Sequence, residues 1–299
     1  MRFASFAALV FVAATSAAPT RRSATTLQSA QINSFIPYTH IAGAGYCQPA
    51  NTLSWNCGIH CNATPGFVTT AVGGNGLGTP WWLVGYYPPL HSIFVSFQGT
   101  APQRIIPLFI DIAFTLEPLN STKFPGLSSA VQIHSGFGDA QTKSSNDVLK
   151  AVKTTMARYP SANIVTTGHS LGAAIAQISA VHLKLNLSSR LKIKYIGFSA
   201  PRVGNKAWAD LVDSLIGDVT HINNKRDFVP TLPPLLTGFA HPSGEIHITE
   251  NETWQLCRGH DSMEPGCTNE AVPNILSWNI TNHDGPFNGI NLGSAACLM

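Results

Sequence analysis

One serine of this chain lies in a pattern that can generate a nucleophile. In the stretch Gly168-His169-Ser170-Leu171-Gly172, a β-branched run ends at the first glycine and a helical pattern begins directly after the serine. A tight turn between strand and helix strains the serine backbone and lifts its hydroxyl above the strand ends, and the two glycines leave room where a Cβ would collide. The positive end of the helix also favours an oxyanion. The pattern predicts a nucleophile elbow, and the alternative interpretation is a serine that only caps a helix.

A serine hydroxyl needs a histidine base, and the histidine needs a carboxylate that orients it. At an elbow of this type the chain order is serine, then acid, then histidine. Asp227 follows the predicted strand Val219–Asn224 and precedes a proline-rich loop, which is the position expected past the carboxyl end of a parallel strand. Asp210 and Asp213 lie on the polar face of a predicted helix, and we expect both to face solvent. Asp227 is therefore the candidate acid, with an ordinary surface-loop aspartate as the alternative.

Several histidines follow the serine, and position alone does not single out the base. His182 lies on the helix behind the serine, and His221 lies inside a predicted strand, where it is expected to pack. The late loop around His283 is rich in Asn and Gly and can fold back to the serine, so position favours this histidine. The other candidates that remain open are His241, His247 and His260.

These residues need a scaffold, and the periodicity of the chain indicates an α/β fold. Predicted strands alternate with predicted helices, which implies parallel pairing with helices on both faces of a mostly parallel central sheet. The predicted strands are Leu90–Thr100, Asn163–Gly168, Lys192–Pro201 and Val219–Asn224, and the predicted helices are Ser144–Tyr159, Leu171–Leu187 and Gly204–Gly217.

The beginning of the chain predicts export. Residues 1–17 have a basic residue, a short apolar run and small residues before the expected cut, as in a secretory signal peptide. We expect residues 18–22 to be a short propeptide, ending at Arg21-Arg22, and residues 23–299 to form one α/β domain in a secreted, extracellular protein. Five Asn-x-Ser/Thr sequons agree with export. They begin at Asn62, Asn120, Asn186, Asn251 and Asn279.

Composition and cysteine usage exclude several classes of function. The 299 residues carry a formal charge of +3 and no long basic run, so nucleic acid is not an expected partner. The six cysteines of an exported chain predict three disulfides, although six cysteines allow fifteen pairings. Proximity favours Cys57–Cys61 and Cys257–Cys267, which leaves Cys47 with Cys297. Neither a second ligand pair at zinc-finger spacing nor a His-Glu-x-x-His motif is present, so we expect no metal.

Five stretches of the chain carry a family resemblance. The sequence resembles the fungal class 3 lipases, a family of triacylglycerol lipases with mono- and diacylglycerol lipase and feruloyl esterase relatives. "APRVGN" and the Asp-x-Val-Pro-x-Leu-Pro-Pro pattern are more specific than the elbow. The matching stretches are Phe97–Thr100, His134–Phe137, Thr167–Ala174, Phe198–Asn205 and Arg226–Pro234, with Ala240–Ile248 soon after the last.

The resemblance implies an α/β-hydrolase fold and a complete set of site residues. It implies Ser170 as nucleophile, Asp227 as acid and His283 as base. It also implies an oxyanion hole made by the amide of Leu171 and by Thr100, which is otherwise a turn residue after a glycine. After His283 the family usually has His-x-x-Tyr-Phe, whereas this chain has Asp284, a proline in place of the tyrosine, and the matching Phe287.

The family's lid position and disulfides also map onto this chain. The stretch after Thr100 is apolar, as expected for a lid that covers the site in water and opens on lipid, and its alternative is a buried core element. The family's bridge from the N-terminal segment to the C-terminus fits Cys47–Cys297, and a bridge of the feruloyl esterase branch resembles Cys257–Cys267. The lid residues are Ile105, Ile106, Leu108, Phe109 and Ile110.

We therefore expect a secreted serine lipase that hydrolyses glyceride esters at an oil–water or membrane interface, without a cofactor and without an obligate protein partner. A feruloyl esterase of cell walls would share the same triad and is the first alternative. A non-catalytic lipid- or wall-binding protein is the second.

Overall fold

The structure is a computed structural model that describes residues 24–100 and 114–297. The expected signal peptide, the expected propeptide and the five lid residues named above lie outside the described residues. No described helix combines the length and the apolar composition that crossing a membrane requires.

Strands and helices alternate through most of the described chain. The strands are β1 (Thr25–Thr26), β2 (Val68–Gly73), β3 (Trp82–Tyr87), β4 (Ser92–Phe97), β5 (Leu116–Pro118), β6 (Gln132–His134), β7 (Asn163–His169), β8 (Ile193–Phe198), β9 (Gly204–Asn205), β10 (Asp218–Asn224), β11 (Phe239–Ala240), β12 (Glu245–Ile248) and β13 (Trp254–Leu256). The α-helices are α1 (Ser29–Ser34), α2 (Ile36–Ala44), α3 (Pro49–Leu53), α4 (Ile59–Ala63), α5 (Ser135–Arg158), α6 (Leu171–Asn186), α7 (Lys206–Leu215) and α8 (Thr268–Ala271). The 3₁₀ helices are Pro88–Leu90, Val229–Thr231, Leu235–Thr237, Ile275–Ser277, Ile280–Asn282 and Ser294–Cys297.

A nine-stranded sheet organises the described residues, with the order β1-β13-β12-β10-β8-β7-β4-β3-β2. Its centre is parallel, because β4, β7, β8, β10 and β12 all run in one direction. Antiparallel strands flank this centre on both sides. A smaller antiparallel sheet has the order β11-β9-β6-β5. The prediction of an α/β fold with a mostly parallel central sheet is confirmed.

Helices cover both faces of the large sheet, and alternate residues of one strand show the two faces. Ile93 and Val95 of β4 belong to the cluster that includes the apolar faces of α5, α6 and α7. Phe94 points the other way and belongs to the cluster of α2 and α4. The period of two along β4 therefore divides the core into two layers.

Helix α5 begins nine residues earlier than the sequence predicts. It starts at Ser135 rather than Ser144, and the His134 ring nitrogen Nδ1 caps it by accepting a hydrogen bond from the Gly136 amide. The apolar periodicity fails to reveal this beginning because the buried face of the early turns carries polar residues, among them Gln141 and Ser144. The residues before β2, which the sequence leaves without assigned structure, form the four short helices α1 to α4.

Three disulfides join the six cysteines. They are Cys47–Cys297, Cys57–Cys61 and Cys257–Cys267, the pairing that proximity and the resemblance favour. The first bridge spans 250 residues and fixes the segment after α2 to the C-terminal 3₁₀ helix.

The two ends of the parallel strands form two distinct edges of the sheet. We call the end that holds Phe97, His169, Phe198 and Asn224 the carboxyl edge, and the opposite end the amino edge. A cleft of 690 Å³ lies at the amino edge. Its lining includes Lys184, Arg190, Lys192, Lys194 and Asp218.

Candidate active site

Ser170 has the backbone conformation expected at an elbow. Its φ of 57° and ψ of −129° lie in a region that a non-glycine residue adopts only under strain. The flanking glycines make this turn possible. A Cβ on Gly168 would overlap the backbone of Gly172, and a Cβ on Gly172 would overlap the carbonyl of Phe97 in β4. Strand, turn and helix therefore approach more closely than any other residue type would permit at these two positions.

Asp227 and His283 form a buried pair. Both carboxylate oxygens of Asp227 lie 3.0 Å from His283 Nδ1, and each side chain is only 1% exposed. The Val229 amide donates a further hydrogen bond of 3.0 Å to Asp227 Oδ1. A proton on Nδ1 that is held by the carboxylate leaves Nε2 of the neutral ring as an acceptor. This is the tautomer that a general base requires.

Backbone contacts hold the loop of His283 against the loop of Asp227. The Asn279 amide donates to the Arg226 carbonyl at 2.9 Å. The Asn224 side-chain amide donates to the Asn282 carbonyl at 2.8 Å. Residues near the acid and residues near the base thus bind each other. These contacts hold Asp227 and His283 side by side, although the two are 56 positions apart in sequence.

Several buried polar atoms at the carboxyl edge have no hydrogen-bond partner among the described residues. Three of them belong to the predicted site, Ser170 Oγ, His283 Nε2 and Thr100 Oγ1, and two more are Asn224 Oδ1 and Asn282 Nδ2. Ser170 and His283 do not bond each other here, and such contacts are often loose in a site without substrate. Buried polar atoms are normally paired, so several unpaired ones at a single edge mark a place where a polar ligand would bind. The amide of Leu171, at the first position of α6, also lacks an intrahelical partner.

The turn before Thr100 lies tightly against the nucleophile turn. A Cβ on Gly99 would overlap both the Tyr46 hydroxyl and the carbonyl of His169. Because Gly99 precedes Thr100 and His169 precedes Ser170, this close approach brings the two residues into neighbouring positions. The arrangement suits two donors that face one oxyanion.

Two buried residues that the sequence analysis did not identify as part of the site, Tyr46 and His169, connect the nucleophile turn with the loop of His283. The Tyr46 hydroxyl lies 2.6 Å from His169 Nδ1, and His169 Nε2 lies 2.8 Å from the carbonyl oxygen of His283. Since the carbonyl can only accept, His169 carries its proton on Nε2 and accepts the Tyr46 proton on Nδ1. His169 was visible as the residue before the serine, but no sequence pattern relates it to Tyr46, 123 positions away.

Burial sets the protonation states of this chain of contacts. Burial lowers the pKa of His169 well below 6.5, and the neighbouring His283 lowers it further. Burial raises the pKa of Tyr46 well above 10, with a smaller contribution from the charge of Asp284. Both groups are therefore neutral over a wide range of pH, which keeps the proton arrangement fixed.

The segment that follows His283 departs from the family pattern. Its Phe287 anchors it in the core. Phe287 is fully buried, and its ring lies 5.3 Å from that of Phe198 and 6.2 Å from that of His169. The Leu292 amide donates to the Asp284 carbonyl at 2.8 Å. Burial raises the pKa of the Asp284 carboxyl, while His283 opposes and Asp227 adds to that shift.

The remaining histidines after the serine make other contacts. His221 and His241 stack with ring centroids 4.7 Å apart, and each has a ring nitrogen 2.8–3.1 Å from a backbone carbonyl. Both ring nitrogens of His247 contact backbone carbonyls, and the rings of His182 and Phe124 lie 5.4 Å apart. None of these four is bonded to Asp227.

The expectation that Asp213 faces solvent is wrong. Its carboxylate accepts hydrogen bonds from the amide and hydroxyl of Ser243 and lies 2.8 Å from His260 Nε2. The polar face of α7 packs against the segment around Ser243, a tertiary contact that helical periodicity does not reveal. Asp210 is exposed as expected and pairs with Lys206 at 2.7 Å.

Two groups of described residues place three ligand atoms close enough for a metal ion, but their atoms are engaged. In the first, His169, His283 and Asp284, both nitrogens of His169 are hydrogen-bonded. In the second, Glu245 accompanies two cysteines that are joined in a disulfide. Neither group offers a set of three available ligands.

The five sequons differ in how available their side chains are. Asn186 is the least suited to a glycan, because its side-chain amide donates two hydrogen bonds, to the carbonyls of Lys123 and His182. A glycan there would replace one donor. Asn279 is partly exposed and lies four residues before the base. The exposed sequon asparagines are Asn62, Asn120 and Asn251.

Comparison with known proteins gives consistent matches. The family described as "Lipase (class 3)" matches residues 94–237. A lipase of Rhizomucor miehei is 32% identical over 274 residues, which cover 89% of this chain and 70% of that protein. A secreted mono- and diacylglycerol lipase of Malassezia globosa is 32% identical over 175 residues, covering 58% of this chain and 57% of that protein.

A solved structure gives the same result at the level of the fold. It is the structure of a triacylglycerol lipase whose catalytic centre is formed by a serine protease triad. It superposes with a TM-score of 0.78 at 29% identity and covers 91% of this chain and 99% of that one.

Proposed function

The chain belongs to the class 3 lipase family, and from this premise we propose that it is a serine lipase that hydrolyses the carboxylic esters of glycerides. Ser170 is the nucleophile of this proposal, His283 the general base and acid, and Asp227 the carboxylate that orients His283. The amide of Leu171 and the amide and hydroxyl of Thr100 stabilise the oxyanion. The reaction uses only these groups and water.

In the acylation step, Ser170 Oγ attacks the ester carbonyl carbon while its proton passes to His283 Nε2. The carbonyl oxygen becomes an oxyanion that accepts hydrogen bonds from Leu171 and Thr100. When the tetrahedral intermediate collapses, the bond to the glyceride oxygen breaks and His283 returns the proton to that oxygen. The products are an alcohol and an acyl ester on Ser170.

In the deacylation step, water attacks the acyl carbon and gives a proton to His283 Nε2. Collapse of the second intermediate breaks the bond to Ser170 Oγ, which regains the proton. A fatty acid leaves, and the starting state is restored. Asp227 stabilises the transient imidazolium through the contacts at Nδ1 and stays ionised throughout.

The observation that carries the proposal is the combination of a strained, buried serine with an unpaired base nitrogen. Ser170 Oγ and His283 Nε2 both lack a partner, while the opposite nitrogen of His283 is held by Asp227 at 3.0 Å. A serine that merely caps a helix needs no strained φ and no such histidine. The triacylglycerol lipase with a serine protease triad supports the same assignment.

Relatives support the substrate class and the location. The Malassezia relative is a secreted mono- and diacylglycerol lipase, and the solved relative is a triacylglycerol lipase. We propose glycerides as substrates on this ground, and export through a signal peptide at residues 1–17 with a propeptide at 18–22. Residues 23–299 then form one mature domain. The expected partner is a lipid surface rather than a protein.

A panel of substrates tests the reaction. Purified protein should hydrolyse emulsified tributyrin, diolein or monoolein much faster than methyl ferulate, and a serine-reactive phosphonate should label Ser170. The ratio among the three glycerides then identifies the preferred class. Faster turnover of methyl ferulate would replace the proposal by the feruloyl esterase alternative. Absence of both turnover and labelling would favour a non-catalytic binding protein.

The lid belongs to the same proposal and has its own test. Ile105 to Ile110 are expected to cover the site in water and to contact lipid at an interface. Burying Phe109 in lipid would contribute roughly 1.5–3 kcal/mol, so Phe109→Asp should lower hydrolysis of emulsified glycerides at least about tenfold. Hydrolysis of p-nitrophenyl acetate should change much less. Equal loss of both activities in well-folded protein would instead identify this stretch as core.

A further inference from the structure

Four successive carbonyl groups after Asp227 are held by two residues, and we call residues 230–233 the acid loop. Arg202 donates to three of these carbonyls, to two through its side-chain nitrogen Nη1 and to the third through its backbone amide at 2.7 Å. His241 Nε2 lies 2.8 Å from the fourth and carries the proton, since a carbonyl can only accept. In chain order, the acceptors are the carbonyls of Pro230, Thr231, Leu232 and Pro233.

The acid loop overlaps the short turn that binds Asp227. The 3₁₀ helix Val229–Thr231 leads into it, and the Leu232 amide donates to the Val229 carbonyl at 3.0 Å. The Val229 amide, at the first position of this helix, donates to Asp227 Oδ1 at 3.0 Å. A shift of the acid loop would therefore move the amide that places one carboxylate oxygen of Asp227. Both of these oxygens contact His283 Nδ1.

One carboxylate places both residues that hold the acid loop. Asp261 Oδ1 accepts a hydrogen bond of 2.7 Å from Arg202 Nε, and Asp261 Oδ2 accepts one of 2.8 Å from the His241 amide. The Arg202 side chain is only 1% exposed, so its charge needs a buried partner. Burial raises the pKa of Asp261, but His241 and Arg202 outweigh burial and hold this pKa below its ordinary value. The carboxylate is therefore ionised at neutral pH, with both oxygens free to accept.

Asp261 reaches this position from a loop that is largely exposed. The loop joins Cys257 to Cys267, which form a disulfide. The Asp261 side chain is only 9% exposed, and its φ of 48° is uncommon for a residue with a Cβ. A connection on the surface needs neither a buried charge nor an unusual backbone, so the two together indicate a role for this carboxylate. The exposed residues of the loop include Arg258, Gly259, Met263 and Pro265.

We propose that Asp261 is a positioning residue for the triad. Through its two partners it fixes the acid loop, and through that loop it holds Asp227 against His283. The inference rests on the proposed function and extends it to a residue outside the triad and the oxyanion hole. The alternative is that Asp261 contributes to stability alone.

A double-mutant cycle between Asp261 and Asp227 separates these two roles. Asp261→Asn keeps the size of the side chain but has a single acceptor oxygen, so it serves only one of its two donors. It should lower kcat on p-nitrophenyl acetate at least about tenfold and leave KM within about twofold, because a small displacement of a catalytic group slows the reaction strongly. In an Asp227→Ala background, the same substitution should change kcat by less than about twofold, because no carboxylate remains to be positioned.

Rates are compared per folded molecule, with the folded fraction taken from circular dichroism. Equal loss of kcat in both backgrounds would overturn the proposal, since a purely structural effect does not depend on the presence of Asp227. An unchanged kcat in the first background would overturn it as well. If Asp261→Asn does not fold, Arg202→Lys takes its place. Lysine keeps the charge beside Asp261 but lacks the guanidinium fork that reaches the carbonyls, so it should give the same two results.

Asp213→Asn is the matched control. Like Asp261, Asp213 accepts a hydrogen bond from a backbone amide of another segment, that of Ser243 at 3.0 Å, and lies 2.8 Å from a side-chain nitrogen of His260. Within the described part of the chain, its contacts do not include the acid loop. Its kcat should stay within about twofold of wild type. A loss as large as that of Asp261→Asn would show that the effect is not specific to the acid loop and would overturn the proposal.

Asp227→Ala alone tests the proposed function separately. It should lower kcat by about 10³-fold or more, because His283 loses the carboxylate that orients it. If Asp227→Ala kept its kcat, Asp227 would not be the acid, and the proposed function would fail whatever Asp261 does. If Asp227→Ala is crippled while Asp261→Asn turns over like the wild type, only the positioning role is wrong.

Discussion

The two edges of the central sheet use the same strands for opposite purposes. At the amino edge, the segments around the first residues of β8 and β10 are charged, with Lys192, an ion pair of 2.9 Å between Lys194 and Asp218, and a cleft of 690 Å³. At the carboxyl edge, the loops after β7 and β10 carry buried polar groups without partners among the described residues, while the charged Lys225 and Arg226 are paired with Glu252 and Glu250. The cleft of 690 Å³ is therefore not the place where the catalytic candidates meet.

The difference shows that volume and charge alone do not locate a site in this fold. Most groups at the amino edge are satisfied, since Lys194 pairs with Asp218 and Lys184 donates to two backbone carbonyls at 2.9 Å. The carboxyl edge instead leaves reactive atoms unsatisfied and holds them by buried contacts. Parallel strands direct all their C-terminal loops to one edge, so that edge can assemble residues that are distant in sequence.

Removing the nucleophile should give the largest effect and the sharpest contrast between the edges. Ser170→Ala should lower kcat by at least about 10⁴-fold, because the covalent route is lost, with the unfolding free energy nearly unchanged. Lys192→Ala at the amino edge should leave kcat within about twofold of wild type, as surface substitutions usually do. Turnover of p-nitrophenyl acetate measures both. A Ser170→Ala enzyme that kept a tenth of its activity would end the assignment.

Acid should destabilise the protein through two buried histidines, His221 and His241. Burial lowers the pKa of His221 and of His241 from 6.5 to about 4. The unfolded chain takes up these protons below pH 6.5 while the folded chain resists until about pH 4, so stability falls as the pH falls through this window. One such histidine accounts for roughly 3 kcal/mol, and the stacked pair for less than twice that because the two sites interact.

Denaturant unfolding between pH 7 and pH 4 measures this loss. His241→Gln removes one titrating ring and should flatten the dependence, even if it lowers stability at pH 7. A wild-type protein equally stable at pH 7 and pH 4 would show that these rings do not control the acid limit.

Removing the Tyr46 hydroxyl should lower catalytic turnover at the carboxyl edge. Tyr46→Phe leaves the buried His169 Nδ1 without its hydrogen-bond donor. This should lower the free energy of unfolding by about 1–3 kcal/mol at most. We expect kcat on p-nitrophenyl acetate to fall about tenfold with KM nearly unchanged, because the position of His283 is disturbed rather than substrate binding.

A purely structural role for Tyr46 would instead lower stability and leave kcat per folded molecule intact. Tyr87→Phe offers a comparison, since Tyr87 is another buried tyrosine, at the end of β3 near the amino edge. Its kcat should match that of the wild type.

A glycan at Asn279 should give the smallest effect. This sequon lies between the exposed Leu276 and Ile280 in the loop that leads to His283, so an attached sugar would oppose contact of this loop with lipid. If the site is occupied, Asn279→Gln should increase binding to triolein-containing vesicles by about twofold or more, a few tenths of a kcal/mol. Asn62→Gln, at an exposed sequon in α4, is the control. Weaker binding after Asn279→Gln would contradict the expectation that the loop before His283 contacts lipid.

Sequence reasoning predicted the parts of the site that local chemistry dictates. The turn at Ser170 follows from its two glycines, and the position of Asp227 follows from the strand before it. The resemblance supplied His283, which position alone only favoured. What the sequence could not reveal depends on contacts between distant segments. Tyr46 meets His169 only because α2 packs on β7.

The same limitation explains the errors. Asp213 was expected in solvent because a helical pattern describes one helix and not the Ser243 segment that packs on it. The beginning of α5 was missed because Gln141 and Ser144 occupy buried positions where periodicity expects apolar residues.

The bridge between Cys47 and Cys297 has a further consequence for the connectivity of the molecule. It joins positions 250 residues apart, so residues 47–297 form a covalent ring. A protease that cuts one exposed turn of this ring, such as the turn that carries Leu77, opens the ring but releases no fragment. A second cut is needed before any piece can separate. Without reduction, the two pieces of a once-nicked molecule therefore stay joined, and a denaturing gel separates them only after a thiol has reduced the bridge.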